Sequence, residues 1–353
     1  RDEYLPNKNI KEIKNKDKIF YPESEYSNKG FSTVYLNNFS ESQLNSYLKA
    51  YVNINKDKEI MKVLIEELEN NPKYNDQSNR LEKYFIDIFT NIGKHIQIIT
   101  NPVLLEIICN LIPQNEEFHD IEKLKVMKKS TIYKIFIYTL YEKEYARRKE
   151  IKNKKKIRFN GVLEKDKIKE MIQFSQNIAL DLYNIINEDN KINNYIYHDP
   201  KNEENIFNKY FQKDPKTEFF REAAERILLK QVDEGKWIFL HKSIMEFLVA
   251  KKLIKEIKFF NPDQLEYDES DENKKAINSL LSNKIKIHQN ISMAKFIIDY
   301  LEENKNFENS LWKCIESSRG RKDDIIDNLS SNCLTLLNYA NRDLVHKDLS
   351  NLR

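Results

Sequence analysis

The chain holds 353 residues, and 59 Lys and Arg against 56 Asp and Glu leave a formal charge of only +3. With 33% charged and 40% hydrophobic residues it is too apolar for a disordered tail and too polar for a membrane bundle, and it has no global pull toward nucleic acid. Five glycines and eight prolines are too few to punctuate a turn-rich all-β fold, so a mainly α protein is expected.

The glycines Gly30, Gly93, Gly161, Gly235 and Gly320 lie far apart. A GxxxxGK phosphate loop or a GxGxxG turn needs several within about six positions, so these residues build neither. Cys109, Cys314 and Cys333 are odd in number and widely spaced. They argue for a reducing compartment and buried structural thiols, and against a disulfide framework or a four-thiolate zinc site. No apolar run approaches the ~20 residues that span a bilayer. The first residues are charged and no signal peptide is visible. A start on Arg1 reads as a piece of a longer protein.

In chain order, residues 1–30 alternate charge with Asn and read as an irregular loop, and Phe31 to Leu36 alternates in period two as a short strand. Ser40-Glu41-Ser42-Gln43 reads as a capping box opening a helix that buries Leu44, Tyr47, Leu48 and Tyr51. Leu81, Tyr84, Phe85, Ile88 and Phe89 form one helical stripe. Leu104, Leu105, Ile108, Leu111 and Ile112 form the next, opened by Asn101-Pro102 and closed by Pro113. Residues 130–145, apolar on several faces, suit a helix packed between neighbours. The basic run from Ala146 to Phe159 is expected to be a solvated inter-domain linker, and the Asn-rich stretch from Asn187 to Lys201 a loop.

Phe219, Phe220, Ala223, Ala224 and Ile227 predict a helix face. A turn at Asp233-Glu234-Gly235 leads into a strand from Lys236 to Leu240, with His241 next. Ser243 and Glu246 are expected to cap a further helix whose face carries Phe247, Ala250, Ile254 and Ile257. Helix, small hairpin, helix is the layout of a winged-helix module. Past an acidic stretch at 262–272, helical patterns occupy Ile291–Leu301, Phe307–Ile315 and Ile325–Tyr339. At the end Asp343-Leu344 and Asp348-Leu349 repeat after five residues, with Ala340 and Leu352 in compatible places, as in a pentapeptide coil whose central leucines point inward.

Phe239-Leu240-His241-Lys242-Ser243-Ile244-Met245-Glu246-Phe247-Leu248-Val249-Ala250 resembles the winged-helix signature F-x-H-x-S-x-x-E-[FY]-x-x-A of NACHT-type STAND NTPases. Asn101-Pro102-Val103-Leu104-Leu105 is similar to the N-P-x-x-L start of that family's helical domain. Phe31 to Tyr51 is similar to its strand-to-helix passage, and Arg1 to Leu5 to the run after its sensor strand. The resemblance covers residues 1–258 and implies a domain order. Residues 1–55 are the expected C-terminal remnant of the nucleotide-binding core, 56–150 a helical domain and 151–260 a winged-helix domain. A C-terminal helical domain at 261–340 and the start of pentapeptide repeats at 341–353 would follow.

It also implies a function, that of the lid and signalling half of a cytoplasmic nucleotide-gated switch. His241 would donate to the β-phosphate of bound ADP, Pro102 would lie against the adenine, and Arg1 would be a sensor arginine. ADP or ATP with Mg²⁺ is expected in the parent protein and none in the isolated piece. The expected partners are the upstream NTPase core in cis and copies of the same protein on activation, with no membrane and no nucleic acid. From the residues alone, His241 could instead tie the hairpin to the helix through backbone hydrogen bonds, and Pro102 could simply be a good helix-opening proline. Two rival readings are a winged-helix nucleic-acid binder, using helix 217–229 or the basic segment 146–158, and a helical protein-interaction scaffold. The apolar residues on 217–229 leave only Arg221 and Arg226 to read base edges.

Overall fold

Helices account for most of the fold, as the scarcity of Gly and Pro requires. The computed structural model describes residues 41–74, 79–93, 102–114, 126–154, 164–189, 196–197, 228–233, 236–260, 285–320 and 328–352, with the single positions 123, 210, 224 and 225. Among the described residues are ten α-helices and a three-stranded sheet, and the chain divides into two compact units, residues 1–136 and 137–353.

In the first unit α1 (Glu41–Asn55) and α2 (Glu59–Glu69) both pack on α3 (Arg80–Gly93). Helix α4 (Pro102–Leu111) continues into a 3-10 turn, Ile112–Gln114, that touches α2. Each helix contributes residues at three- and four-residue spacing: Leu44 and Leu48 of α1, Met61, Leu64 and Leu68 of α2, and Leu81, Tyr84, Phe85, Ile88 and Phe89 of α3 are all buried. At roughly 1.5–3 kcal/mol for each large apolar side chain, this burial is the main force holding the unit together. Tyr47 and Tyr51 are only half-buried, because their hydroxyls need polar company; the Tyr51 hydroxyl donates to the Cys109 carbonyl at 3.0 Å and so ties α1 to α4. The expected strand at 31–36 and the cap residue Ser40 lie outside the described residues.

The second unit is built around α7 (Lys242–Lys258), which packs against α6 (Glu164–Asp189), α8 (Ile291–Glu303) and α9 (Asn306–Ser317). Every residue from Ser243 to Ala250 is buried, the pattern of a helix enclosed on all sides. Phe247 meets Phe296 of α8 edge-on at 5.3 Å between ring centres. Helix α10 (Leu329–Tyr339) packs on α9. Its Asn332, 1% exposed, donates from Nδ2 to the Ile285 carbonyl at 2.8 Å and accepts the Ile287 N–H at 2.9 Å on Oδ1. One side chain thereby satisfies two buried backbone groups that no helix or strand serves.

Beside α7 lies a sheet of β1 (Ile196–Tyr197), β2 (Leu229–Asp233) and β3 (Lys236–Phe239), antiparallel and in the order β1-β3-β2. Ile196 faces Trp237 and Leu229 faces Phe239, with an irregularity between Gln231 and Asp233. Glu234 and Gly235 of the expected turn are outside the described residues, as is most of the helix face expected at 219–227; Ala224 from that face is buried.

Three sequence expectations need correction. Helix α5 (Lys129–Lys154) runs well into the basic segment read as a linker. Lys and Arg are good helix formers, and Glu144 answers two of the charges through Arg147 Nε at 2.8 Å and Arg148 Nε at 2.7 Å. The Asn-rich stretch read as a loop begins inside α6, which extends to Asp189, and contains β1, whose pairing with β3 is a long-range contact that no local pattern announces. Ser243 is not a cap: it lies inside α7, and His241 is the N-cap.

After α10 the chain takes a left-handed backbone conformation at Asn341, His346 and Asn351, with φ of 52°, 63° and 53°, every fifth residue. Asp343 Oδ1 accepts the Val345 N–H at 2.8 Å, and Asp348 Oδ1 repeats the bond five residues on with Ser350 N–H at 2.9 Å. Arg319 fastens this segment, donating to the Ser350 carbonyl at 2.6 Å and the Asp348 carbonyl at 2.9 Å. The central leucines expected to point inward are not buried: Leu344 is half-buried and Leu349 is 41% exposed, so the five-residue spacing is kept by the backbone turns and not by a leucine core.

Candidate functional site

The junction between β3 and α7 is set by two local events. The hairpin ends as Phe239 pairs with Leu229, and the Leu240 N–H continues the ladder to the Leu228 carbonyl at 2.8 Å. His241 then adopts an extended backbone, φ −151° and ψ 142°, the geometry of a residue that precedes a helix while its carbonyl already accepts, here from Ile244 N–H at 3.1 Å. A helix start leaves several N–H groups without intrahelical partners. The His241 ring answers one: Nδ1 lies 3.2 Å from Ser243 N, which donates to it, and 2.5 Å from Ser243 Oγ.

The ring is half-buried and Ser243 is buried. Lys242 is exposed, with Nζ 3.5 Å from the carboxylate of Glu246, itself only 5% exposed. With Lys242 already answered by Glu246, what favours an anion here is the half-buried imidazole at the positive end of the 17-residue α7 dipole. Helix α7 ends in the opposite sense, with Lys255 and Lys258 in its last turn. Near that end Glu256 is held mostly out of water, which pushes its carboxyl up to about 8 despite Lys252 at 3.9 Å and Lys255 nearby.

Of the other residues singled out by sequence, Pro102 is the first residue of α4, where its missing N–H costs no hydrogen bond. It belongs to the first unit and His241 to the second, so neither unit alone assembles the two. Arg1 lies outside the described residues. Arg147 and Arg148, in the segment a nucleic-acid reading would use, are paired with Glu144. Cys109, Cys314 and Cys333 are all free and buried. Burial raises the Cys109 thiol, and a hydrogen bond with Cys314 joins burial in raising Cys333, which disfavours the reactive thiolate at those two positions. Among the described residues no group of His, Cys, Asp and Glu could hold a metal ion, and no helix is long and apolar enough to cross a membrane.

Sequence reading missed the partnership of Ser243 with the His241 ring. The signal was present as His-x-Ser, which places the serine two residues into a helix that the histidine caps. Histidine is an uncommon cap, so the serine drew the assignment instead. No protein-family model matches the chain, nor does any curated protein or solved structure.

Proposed function

We propose that this chain is the regulatory, lid-and-signalling part of a NACHT-type STAND NTPase, a cytoplasmic nucleotide-gated switch in which His241 senses the ADP phosphate. The observation that carries the reading is the placement of His241. It lies directly after a hairpin strand, caps α7 through Nδ1, and so stands where a ring N–H can meet an anion at the positive end of a helix. Support also comes from the sheet order β1-β3-β2 between α6 and α7, a strand arrangement compatible with a winged-helix module. The five-residue recurrence of left-handed backbone and Asp-anchored turns at 341–351 supports a pentapeptide-repeat start.

A contact made in only one conformation gives a ligand differential affinity, which is how it shifts an equilibrium. On this reading ADP, bound in an upstream NTPase core with its Mg²⁺, is gripped by His241 in the closed form, and exchange to ATP releases the lid and permits self-association. The phosphate loop and the acidic Mg²⁺ ligands belong to that core, and the residues present here supply the sensor. The test is to express the polypeptide together with its upstream NTPase core. ADP should then co-purify with it, while the 353-residue chain alone binds neither ADP nor duplex DNA at ~50 mM salt. Salt-sensitive duplex binding by the chain alone would favour the nucleic-acid reading instead.

A further inference from the structure

We propose that Ser243 is the positioning residue for His241: its two donors converge on Nδ1 and fix the ring as the tautomer that carries its proton on Nε2. The assignment follows from which groups can reverse direction. A hydroxyl rotates to donate or accept, but a backbone N–H in the first turn of a helix only donates and points where the helix sends it. Ser243 N lies 3.2 Å from Nδ1, so Nδ1 must present a lone pair to it. The Oγ at 2.5 Å from the same nitrogen then donates as well, in a three-centre arrangement. In the neutral imidazole the remaining proton is therefore on Nε2.

The consequence is that one ring does two jobs without conflict. A phosphate oxygen only accepts, so a sensor ring must offer it an N–H. A proton on Nδ1 would uncap α7 and turn a lone pair toward the anion. With Nδ1 committed to Ser243, the cap and the donor use opposite nitrogens, and an anion drawing on Nε2–H makes Nδ1 a better acceptor for the helix start. Nucleotide and α7 thus strengthen each other through the ring. Ser243 as a residue is 8% exposed, so packing limits its side chain and the hydroxyl holds the imidazole plane in place, where the longer N–H contact alone would leave it looser.

This role rests on the reading of His241 as the ADP sensor, and two measurements separate them. In the 353-residue chain labelled with ¹⁵N-histidine, long-range ¹H–¹⁵N correlation, assigned by comparison with His241→Asn, should show Nδ1 unprotonated and Nε2 protonated. A proton on Nδ1 overturns the proposal. In Ser243→Ala the Nδ1 resonance should move toward that of a ring nitrogen with fewer donors, and Ser243→Thr, which keeps the hydroxyl, should restore it. In the polypeptide that also carries the NTPase core, Ser243→Ala should speed ADP release by about three- to tenfold, the worth of one neutral hydrogen bond, with rescue by threonine. If His241→Asn speeds release while Ser243→Ala alters neither the resonance nor the rate, the serine has no positioning role and the sensor reading stands. If His241→Asn leaves release unchanged, the sensor reading fails and the coupling falls with it.

Discussion

Replacing Asn332 by alanine removes a side chain that hydrogen-bonds α10 to the segment before α8. Its Nδ2 serves the Ile285 carbonyl at 2.8 Å, and its Oδ1 takes the Ile287 N–H at 2.9 Å. Both isoleucines are 0% exposed, so water cannot replace the lost partners without opening the core. Each orphaned buried group costs about 1–3 kcal/mol, and two of them predict a loss of about 2–6 kcal/mol for Asn332→Ala. Asn332→Asp sharpens the test. An ionised carboxylate still accepts from Ile287 but faces the Ile285 carbonyl with a second acceptor, whereas its protonated form can donate there. That raises the folded-state affinity for the proton, so the Asp variant should be least damaged at low pH and lose further stability as pH rises above the ordinary carboxylate range. The chain has two tryptophans, Trp237 and Trp312, and both lie in the second unit. Urea denaturation followed by tryptophan fluorescence therefore reports that unit without assuming that the whole chain unfolds in one step. A loss below about 1 kcal/mol for the Ala variant would mean that the two backbone groups find other partners, because orphaning even one buried group should cost more.

Glu256 predicts a pH effect of definite sign. Its folded carboxyl is raised from an ordinary 4.5 to about 8 by burial, so its favourable contribution is complete below about 4.5 and is lost as pH climbs toward 8. Glu256→Gln should match the native chain near pH 4 and become the more stable by about 2–5 kcal/mol at pH 8–9, measured by denaturation at each pH; a pH-independent difference would contradict the burial argument. His346 has φ 63°, so His346→Val should weaken hydrogen-exchange protection of residues 345–352 through about 1–2 kcal/mol of left-handed strain, while His346→Gly should preserve it. Equal protection in the two variants would deny the five-residue turn. Tyr51→Phe should cost about 1 kcal/mol in the first unit by removing the α1–α4 bond, read from the stability of α1 amide protons; no change would mean that packing alone joins those helices.

The helices were legible because their information is local. The stripe Leu81, Tyr84, Phe85, Ile88, Phe89 is buried throughout, and the patterns at 291–301 and 307–315 fall inside α8 and α9. What escaped depends on partners distant in sequence. Strand β1 is two residues long and exists through β3, some forty positions away. Asn332 is one of several polar residues on α10, beside Ser330, Ser331, Thr335 and Asn338, so nothing local marks it out, and its partners lie 45 and 47 positions earlier. Helix α5 outran its predicted end because a basic run was read as solvated charge, although such residues extend helices well when a neighbour such as Glu144 answers them. At the candidate site, the succession of strand, histidine and helix could be read from Phe239 to Ala250. The alternative that His241 ties the hairpin to the helix through a backbone hydrogen bond is what Nδ1 does with the Ser243 N–H, but that the imidazole rather than the serine is the N-cap could not be read, since sequence preference points to the serine.

The most direct test compares ADP release from the native polypeptide carrying its NTPase core with release from His241→Asn. Asparagine keeps an oxygen that can cap α7 but offers no Nε2–H at the same reach, so the helix should melt as before. Alanine would confound the comparison by removing the cap as well, at about 1 kcal/mol. Loss of one hydrogen bond to a charged phosphate predicts release faster by about ten- to hundredfold at unchanged stability. Identical release rates would mean that the imidazole is only a helix cap and that this chain does not read the nucleotide through it.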